Sequence, residues 1–222
     1  VLLLMLVILI GIGATFLFSK ILSETILKGE ASSFTLELPP YRTPEWGKVI
    51  VRSLLDRTLF VLGRAVVVAA PAGLLIWILA NVTISDVSIL NYCTEFLDPF
   101  ARLMGLDGVI LMAFILGFPA NEIVFPIILM TYMSTGKLIE MTSIVEMREV
   151  LIADGWTYVT AICTMMFSLM HWPCSTTCLT IKKETGSLKW TAVSVILPTL
   201  CGILVCMAIN FVTYLCCPNH LF

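Results

Sequence analysis

The sequence predicts an all-α fold, a polytopic integral membrane helical bundle with broken or re-entrant helices. Three observations carry this: composition, the length of the charge-free runs, and the prolines set inside them. The 222 residues are 59% hydrophobic and 13% charged, with a mean hydropathy of +1.01, well above the balance of a soluble globular domain. The apolar runs lack period-2 alternation, and hydrocarbon leaves backbone polar groups to be satisfied internally, so the spans are helices rather than barrel strands. Prolines inside such runs are tolerated where neighbouring helices re-satisfy the freed carbonyls. A net charge of -2, with the basic residues in short loops, excludes a nucleic-acid groove. Five of the cysteines, Cys163, Cys174, Cys178, Cys201 and Cys206, lie inside apolar runs, which argues against a secreted disulfide framework.

In chain order, residues 1–19 are free of charge and about long enough to cross a bilayer core, a first transmembrane helix. The chain opens at Val1 inside this run and reads as a piece of something longer. Residues 20–64 hold seven of the thirteen Lys and Arg residues together with Pro39, Pro40 and Pro44. They read as a cytoplasmic loop followed by an amphipathic helix, since positive charge concentrates on loops that are not translocated. Residues 65–222 form the main membrane region. It begins with a charge-free run to Ser85, continues through an acidic interfacial helix over Asp86–Asp107, and then enters Gly108–Gly136. There Glu122 is the one charge, with fourteen uncharged residues on each side. Gly117 and Pro119 should break that segment. Lys137–Asp154 reads as interfacial, and Gly155–Ile181 as a second broken helix interrupted at Pro173. A last run extends from Trp190 to Asn219, giving about five embedded segments. If both broken segments cross fully, the Lys182-Lys183 turn falls outside, against the charge rule; one re-entrant element places it inside.

Chemistry concentrates at the two breaks. An ionisable residue in the middle of an apolar segment costs several kcal/mol, roughly, unless it is paired, hydrated or bound to a cation. That makes Glu122 a candidate ion ligand with Asn121 as an auxiliary oxygen donor; the alternative is a protonated or Lys-paired structural carboxyl. Discontinuous transporter helices build ion sites in this way. Cys174 follows Pro173, and a proline in the first helical turn leaves the next thiol near a helix N-terminus, where the dipole favours thiolate. His171, Cys178 and Met170 add donors, and Thr176 and Thr177 offer hydroxyls. Such a set suits a late first-row divalent metal better than magnesium or calcium; the competing reading of the cysteines is packing. No H-E-x-x-H, paired C-x-x-C or G-x-x-x-x-G-K-[ST] motif is present, so neither a closed zinc site nor nucleotide hydrolysis is assigned, and no enzyme activity is expected. Cys216 and Cys217 end the last run, where palmitoylation and terminal packing are both open.

Glu37-Leu38-Pro39-Pro40-Tyr41-Arg42, Gly117-Phe118-Pro119-Ala120-Asn121-Glu122-Ile123-Val124 and Pro173-Cys174-Ser175-Thr176-Thr177, followed by Lys182-Lys183-Glu184-Thr185-Gly186-Ser187, together resemble the FeoB-type ferrous iron transporters in order and spacing. The resemblance covers essentially the whole chain. It implies the C-terminal portion of such a transporter, the second Gate region and the FeoB C-terminal region, multi-pass in the bacterial inner membrane and moving Fe2+ as substrate. It also implies partners outside this chain: an N-terminal GTP-binding domain, where GTP and Mg2+ would bind, the first Gate region of the same protein, and small cytoplasmic Feo proteins. A homo-oligomer is open, and no cofactor is expected in this portion. By resemblance Cys174 is the cysteine of the second Gate motif, Glu122 and Asn121 match a motif of less defined role, and His171 stands where other members carry an aromatic or aliphatic residue.

Two other classes compete with iron transport. A nucleoside or organic-solute permease is one, because Gate regions resemble nucleoside-recognition domains and half-helix ends can bind polar organic groups. A non-transporting membrane scaffold is the other, for which an embedded Glu122 would be superfluous.

Overall fold

The computed structural model describes residues 2–25, 46–85, 87–138, 141 and 143–216. The Glu37–Arg42 motif and Cys217 lie outside the described residues. The chain divides into two compact units, Val1–Phe60 and Val61–Phe222.

In the first unit, α1 (Leu2–Thr25) carries no charge before Lys20. Leu9 and Phe16 are exposed at 65% and 73%, a pattern that suits a helix whose solvent is lipid. α2 (Trp46–Arg52) continues into a wide helical turn over Ser53–Leu59.

α3 (Phe60–Asn81), which carries Pro71, belongs to the second unit in all but its first residue. Its end is pinned by Asn81, whose amide donates to the carbonyls of Trp77 and Gly136 at 3.0 and 3.1 Å. A two-residue hairpin, β1 (Thr83–Ile84) with β2 (Val87–Ser88), pairs Thr83 with Ser88 and Ile84 with Val87. Helices α4 (Ile89–Leu103), α5 (Gly108–Leu116), α6 (Val124–Tyr132), α7 (Ile144–Ala153), α8 (Tyr158–Met170), α9 (Ser175–Thr185) and α10 (Leu188–Cys216) follow.

Two corners built alike set the architecture. At the first, Gly105 takes a positive φ of 71°, Gly105 and Leu106 donate back to Arg102 and Ala101, and Asp107 Oδ1 caps α5 by accepting from Ile110 N at 2.7 Å. At the second, Gly155 takes φ 86°, Gly155 and Trp156 donate back to Ile152 and Leu151, and Thr157 Oγ1 accepts from Thr160 N at 3.2 Å. Each is a glycine-terminated helix followed two residues later by a side-chain N-cap. The bends match as well: 109° between α4 and α5, and 110° between α7 and the Tyr158–Thr185 run.

These corners change the count of spans read from the sequence. Among the described residues, two helices are long and apolar enough to cross a membrane, Met5–Thr25 and Leu188–Cys216, or up to four if each bent pair is one span. Ala65–Asn81 and Asn121–Tyr132 are shorter apolar helices. About five embedded segments were expected, two of them broken; the chain also turns by slightly more than a right angle at each of these two corners.

The core lies in the second unit, where Met104, Ile110, Ala113, Ile128, Cys163, Phe167 and Cys206 are fully buried. α5 is buried on nearly every side, packed against α4 and α6, while α10 packs along α8 and α9. A fully buried apolar side chain contributes roughly 1.5–3 kcal/mol in water; between helices in lipid, close van der Waals fit takes over that role.

Candidate functional site at two helix breaks

Both breaks foreseen from glycine and proline are present. α5 ends at Gly117, and Phe118–Ala120 lead through a single tight turn, Asn121–Ile123, into α6. A Cβ on Gly117 would stand 2.3 Å from Val124 Cγ2, so any larger residue here displaces the Val124 side chain. The second break spans His171–Cys174, between α8 and α9. Pro173 stands one residue before the N-cap, outside the first helical turn where the sequence places it, and Cys174 itself is the N-cap (φ -61°, ψ 160°). His171 and Cys174 are both extended, and the residue before a proline is disfavoured in the helical region, so the helix restarts only after Cys174.

The two breaks meet. Ser175 N donates to the Phe118 carbonyl at 2.9 Å, and Ser175 Oγ donates to the Pro119 carbonyl at 3.4 Å. Carbonyls that helix interruption frees in α5–α6 thus take their donors from the start of α9, as buried backbone groups must. Ser175 is buried, so water does not substitute for it.

Cys174 Sγ lies 3.1 Å from both Thr176 Oγ1 and Thr177 Oγ1. The sulfur sits at the positive end of a helix and faces two hydroxyls that can donate to it, an arrangement that favours the thiolate needed for metal ligation. Cys178 Sγ donates to the Pro173 carbonyl at 3.4 Å and is used locally. His171 Nδ1 lies 2.8 Å from the Ser168 carbonyl, a contact only an N–H can make favourably, so Nε2 carries the lone pair. That Nε2 is buried with no hydrogen-bond partner among the described residues, as is Trp172 Nε1. The ring is held between Phe114, centroid 5.0 Å away, and Trp172, at 5.9 Å. An imidazole fixed by a carbonyl at one nitrogen and open at the other is oriented as metal-ligating histidines are.

Asn121 and Glu122 are exposed on the tight turn of the first break, and Thr177 is exposed on α9. Among the described residues no three His, Cys, Asp or Glu side chains gather into a metal cluster. The breaks are therefore brought together through the backbone and Ser175, while Glu122, Cys174 and His171 do not close around one point.

Sequence reasoning missed a second polar feature that positions the site. Trp156 Nε1 donates to Tyr132 Oη at 2.8 Å, and Tyr132 Oη donates in turn to Asp107 Oδ2. This relay ties the starts of α5 and α8 to the end of α6, while Ser175 ties their far ends. Asp107, outside the embedded helices, has its carboxyl pushed above the usual range by burial and by nearby Asp98, against the lowering effect of the Tyr132 and Ile110 hydrogen bonds. The one signal available in the sequence was Asp107-Gly108, an N-cap pattern that also fits a simple turn.

The fold and the paired breaks define an all-α membrane bundle assembled from discontinuous helices. Residues 62–188 match the Gate family, described as nucleoside recognition, and residues 4–56 match the family described as ferrous iron transport protein B C terminus. The chain belongs to the Gate family, as the C-terminal membrane portion of a FeoB-type protein. Relatives include the Fe(2+) transporter FeoB of Staphylococcus aureus, 30% identical over 85% of this chain and 28% of its own length. Those of Leptospira biflexa (25% identical; 87% of this chain, 30% of the relative) and Synechocystis sp. (29%; 83% and 29%) match likewise. The chain thus spans less than a third of the length of these relatives. No solved structure matches it.

Proposed function

We propose that the protein of which this chain is a part carries ferrous iron across the bacterial inner membrane in several passes, and that this chain supplies the second Gate half of the permease. The supporting observation is the junction of the two breaks, where Ser175 N–H holds the Phe118 carbonyl and leaves the Cys174 thiol at the adjoining helix N-terminus. Fe2+ is a borderline cation for which thiolate and imidazole are suitable donors. Cys174 is the principal ligand in this reading, His171 Nε2 a second, and Thr177, Asn121 and Glu122 oxygen donors that the ion meets in succession. An open, incomplete set suits a site that must strip water from the ion and then release it. The first Gate region completes the pathway, and a GTP-binding domain, also outside this chain, couples it to nucleotide; neither step of GTP chemistry falls to these residues.

The test is uptake of radioactive Fe(II) under anaerobic, reducing conditions by an iron-uptake-deficient bacterium carrying the full-length protein, with Cys174 intact or changed to Ser at equal membrane expression. Uptake should fall by about tenfold or more. Unchanged uptake would return Cys174 to packing, and failure of the intact protein to move iron would sink the iron reading.

A further inference from the structure

α10 approaches α8 closely at Gly202, where a Cβ would lie 3.2 Å from both Met170 Cβ and Phe167 Cδ2. One turn further along α10 stands Cys206, and opposite it on α8 stands Cys163, both fully buried. Cys206 Sγ donates to the Cys163 carbonyl at 3.4 Å, and Cys163 Sγ lies 3.9 Å from the Cys206 carbonyl. Each sulfur thus reaches the other residue's backbone, which places the residues face to face at the crossing of two helices. Isolated buried cysteines behave as small hydrophobes; a facing pair, each sulfur within reach of the other's backbone, has a chemistry that neither has alone.

We infer that Cys163 and Cys206 form a redox-modification site, in which an interhelical disulfide closes between them and staples α8 to α10. One thiol gives up its proton and its sulfur adds to a two-electron acceptor; the second thiolate then attacks that sulfur, the S–S bond forms, and the acceptor leaves with both electrons and both protons. The acceptor is a small apolar oxidant able to enter the bundle, a quinone leaving as quinol or the diazene reagent diamide leaving as the hydrazine. Disulfide geometry needs the two backbones within a narrow spacing, and the glycine one turn away on α10 permits that approach. The consequence reaches the site: α8 runs directly into the His171–Cys174 break, and α10 packs on both α8 and α9. Oxidation therefore restrains the segment that presents Cys174. This inference stands independently of which solute the protein carries.

The experiment uses the full-length protein in its native membrane, treated with diamide, blocked with N-ethylmaleimide and digested with chymotrypsin. Cleavage after Phe167 and Leu204 separates Cys163 from Cys174 and Cys201 from Cys206. A linked peptide pair joining Cys163 to Cys206, lighter by two hydrogens than its separate halves, should form with diamide and vanish with dithiothreitol. Cys163→Ser and Cys206→Ser should each abolish it, while Cys174→Ser should leave it. If the folded wild-type protein yields both cysteines only as separate alkylated peptides, however much diamide is supplied, the pair is inert packing and the inference fails.

Discussion

At Cys174, three neighbours decide what one sulfur can do: the helix it caps and the hydroxyls of Thr176 and Thr177. Thr177→Val keeps the shape and removes one donor. We expect Fe(II) uptake to fall by roughly tenfold, less than for Cys174→Ser, because the ligand remains but its charged form is supported by one hydroxyl fewer. Asp107 supplies the pH-dependent counterpart. Its folded-state carboxyl titrates above the ordinary value, with burial as the main cause. Its contribution to stability is therefore complete below the ordinary carboxylate pKa near ~3.9 and is lost as pH rises through the folded value. Thermal unfolding in detergent should show a decline over that window, and Asp107→Asn should flatten it while retaining a cap. The break that carries Cys174 was legible in the sequence because a proline interrupts the apolar run there. Asp107 was not, because its partner Tyr132 is twenty-five residues away and nothing local points to it.

At the scale of elements, glycine marks where the chain reverses. Gly108 lets α5 start against α4, since a Cβ there would stand 2.0 Å from the Thr94 carbonyl oxygen, an atom fixed in a helix. Gly108→Ala should lower stability by at least about 1–3 kcal/mol, with no side-chain change able to relieve it. Gly117→Ala makes a different conflict, with the Val124 methyl, and Val124→Ala should restore much of the loss. Unfolding temperatures of the single and double variants distinguish the two cases. The breaks themselves could be read from Gly117, Pro119 and Pro173, because a missing backbone donor leaves its mark in composition. That the sharp bends fall earlier, at Gly105 and Gly155, could not, since those corners consist of ordinary helix caps whose bend angle depends on packing beyond them.

For the second unit as a whole, α5 and α8 are held at both ends, by the Trp156–Tyr132–Asp107 relay at their starts and by Ser175 at their breaks. Tyr132→Phe removes the link in the middle of the relay and leaves a buried carboxyl and an indole N–H short of a partner. A loss of about 1–3 kcal/mol is expected in detergent unfolding. The helical, membrane character of the molecule was legible from hydropathy, since lipid imposes one solution on the backbone. The meeting of the two breaks was not, because Ser175 contributes by position rather than by any unusual chemistry, and a serine after a cysteine attracts no notice.

The hydrogen bond from Ser175 to the Phe118 carbonyl means that neither break can widen without the other losing a partner. Local melting at Phe118–Ala120 would strand the buried Ser175 N–H, and displacement of α9 would take from the Phe118 carbonyl its donor. Hydrogen exchange at the two breaks should accordingly follow one opening equilibrium, so that an ion or an upstream domain acting on either is felt at both as a single mechanical degree of freedom.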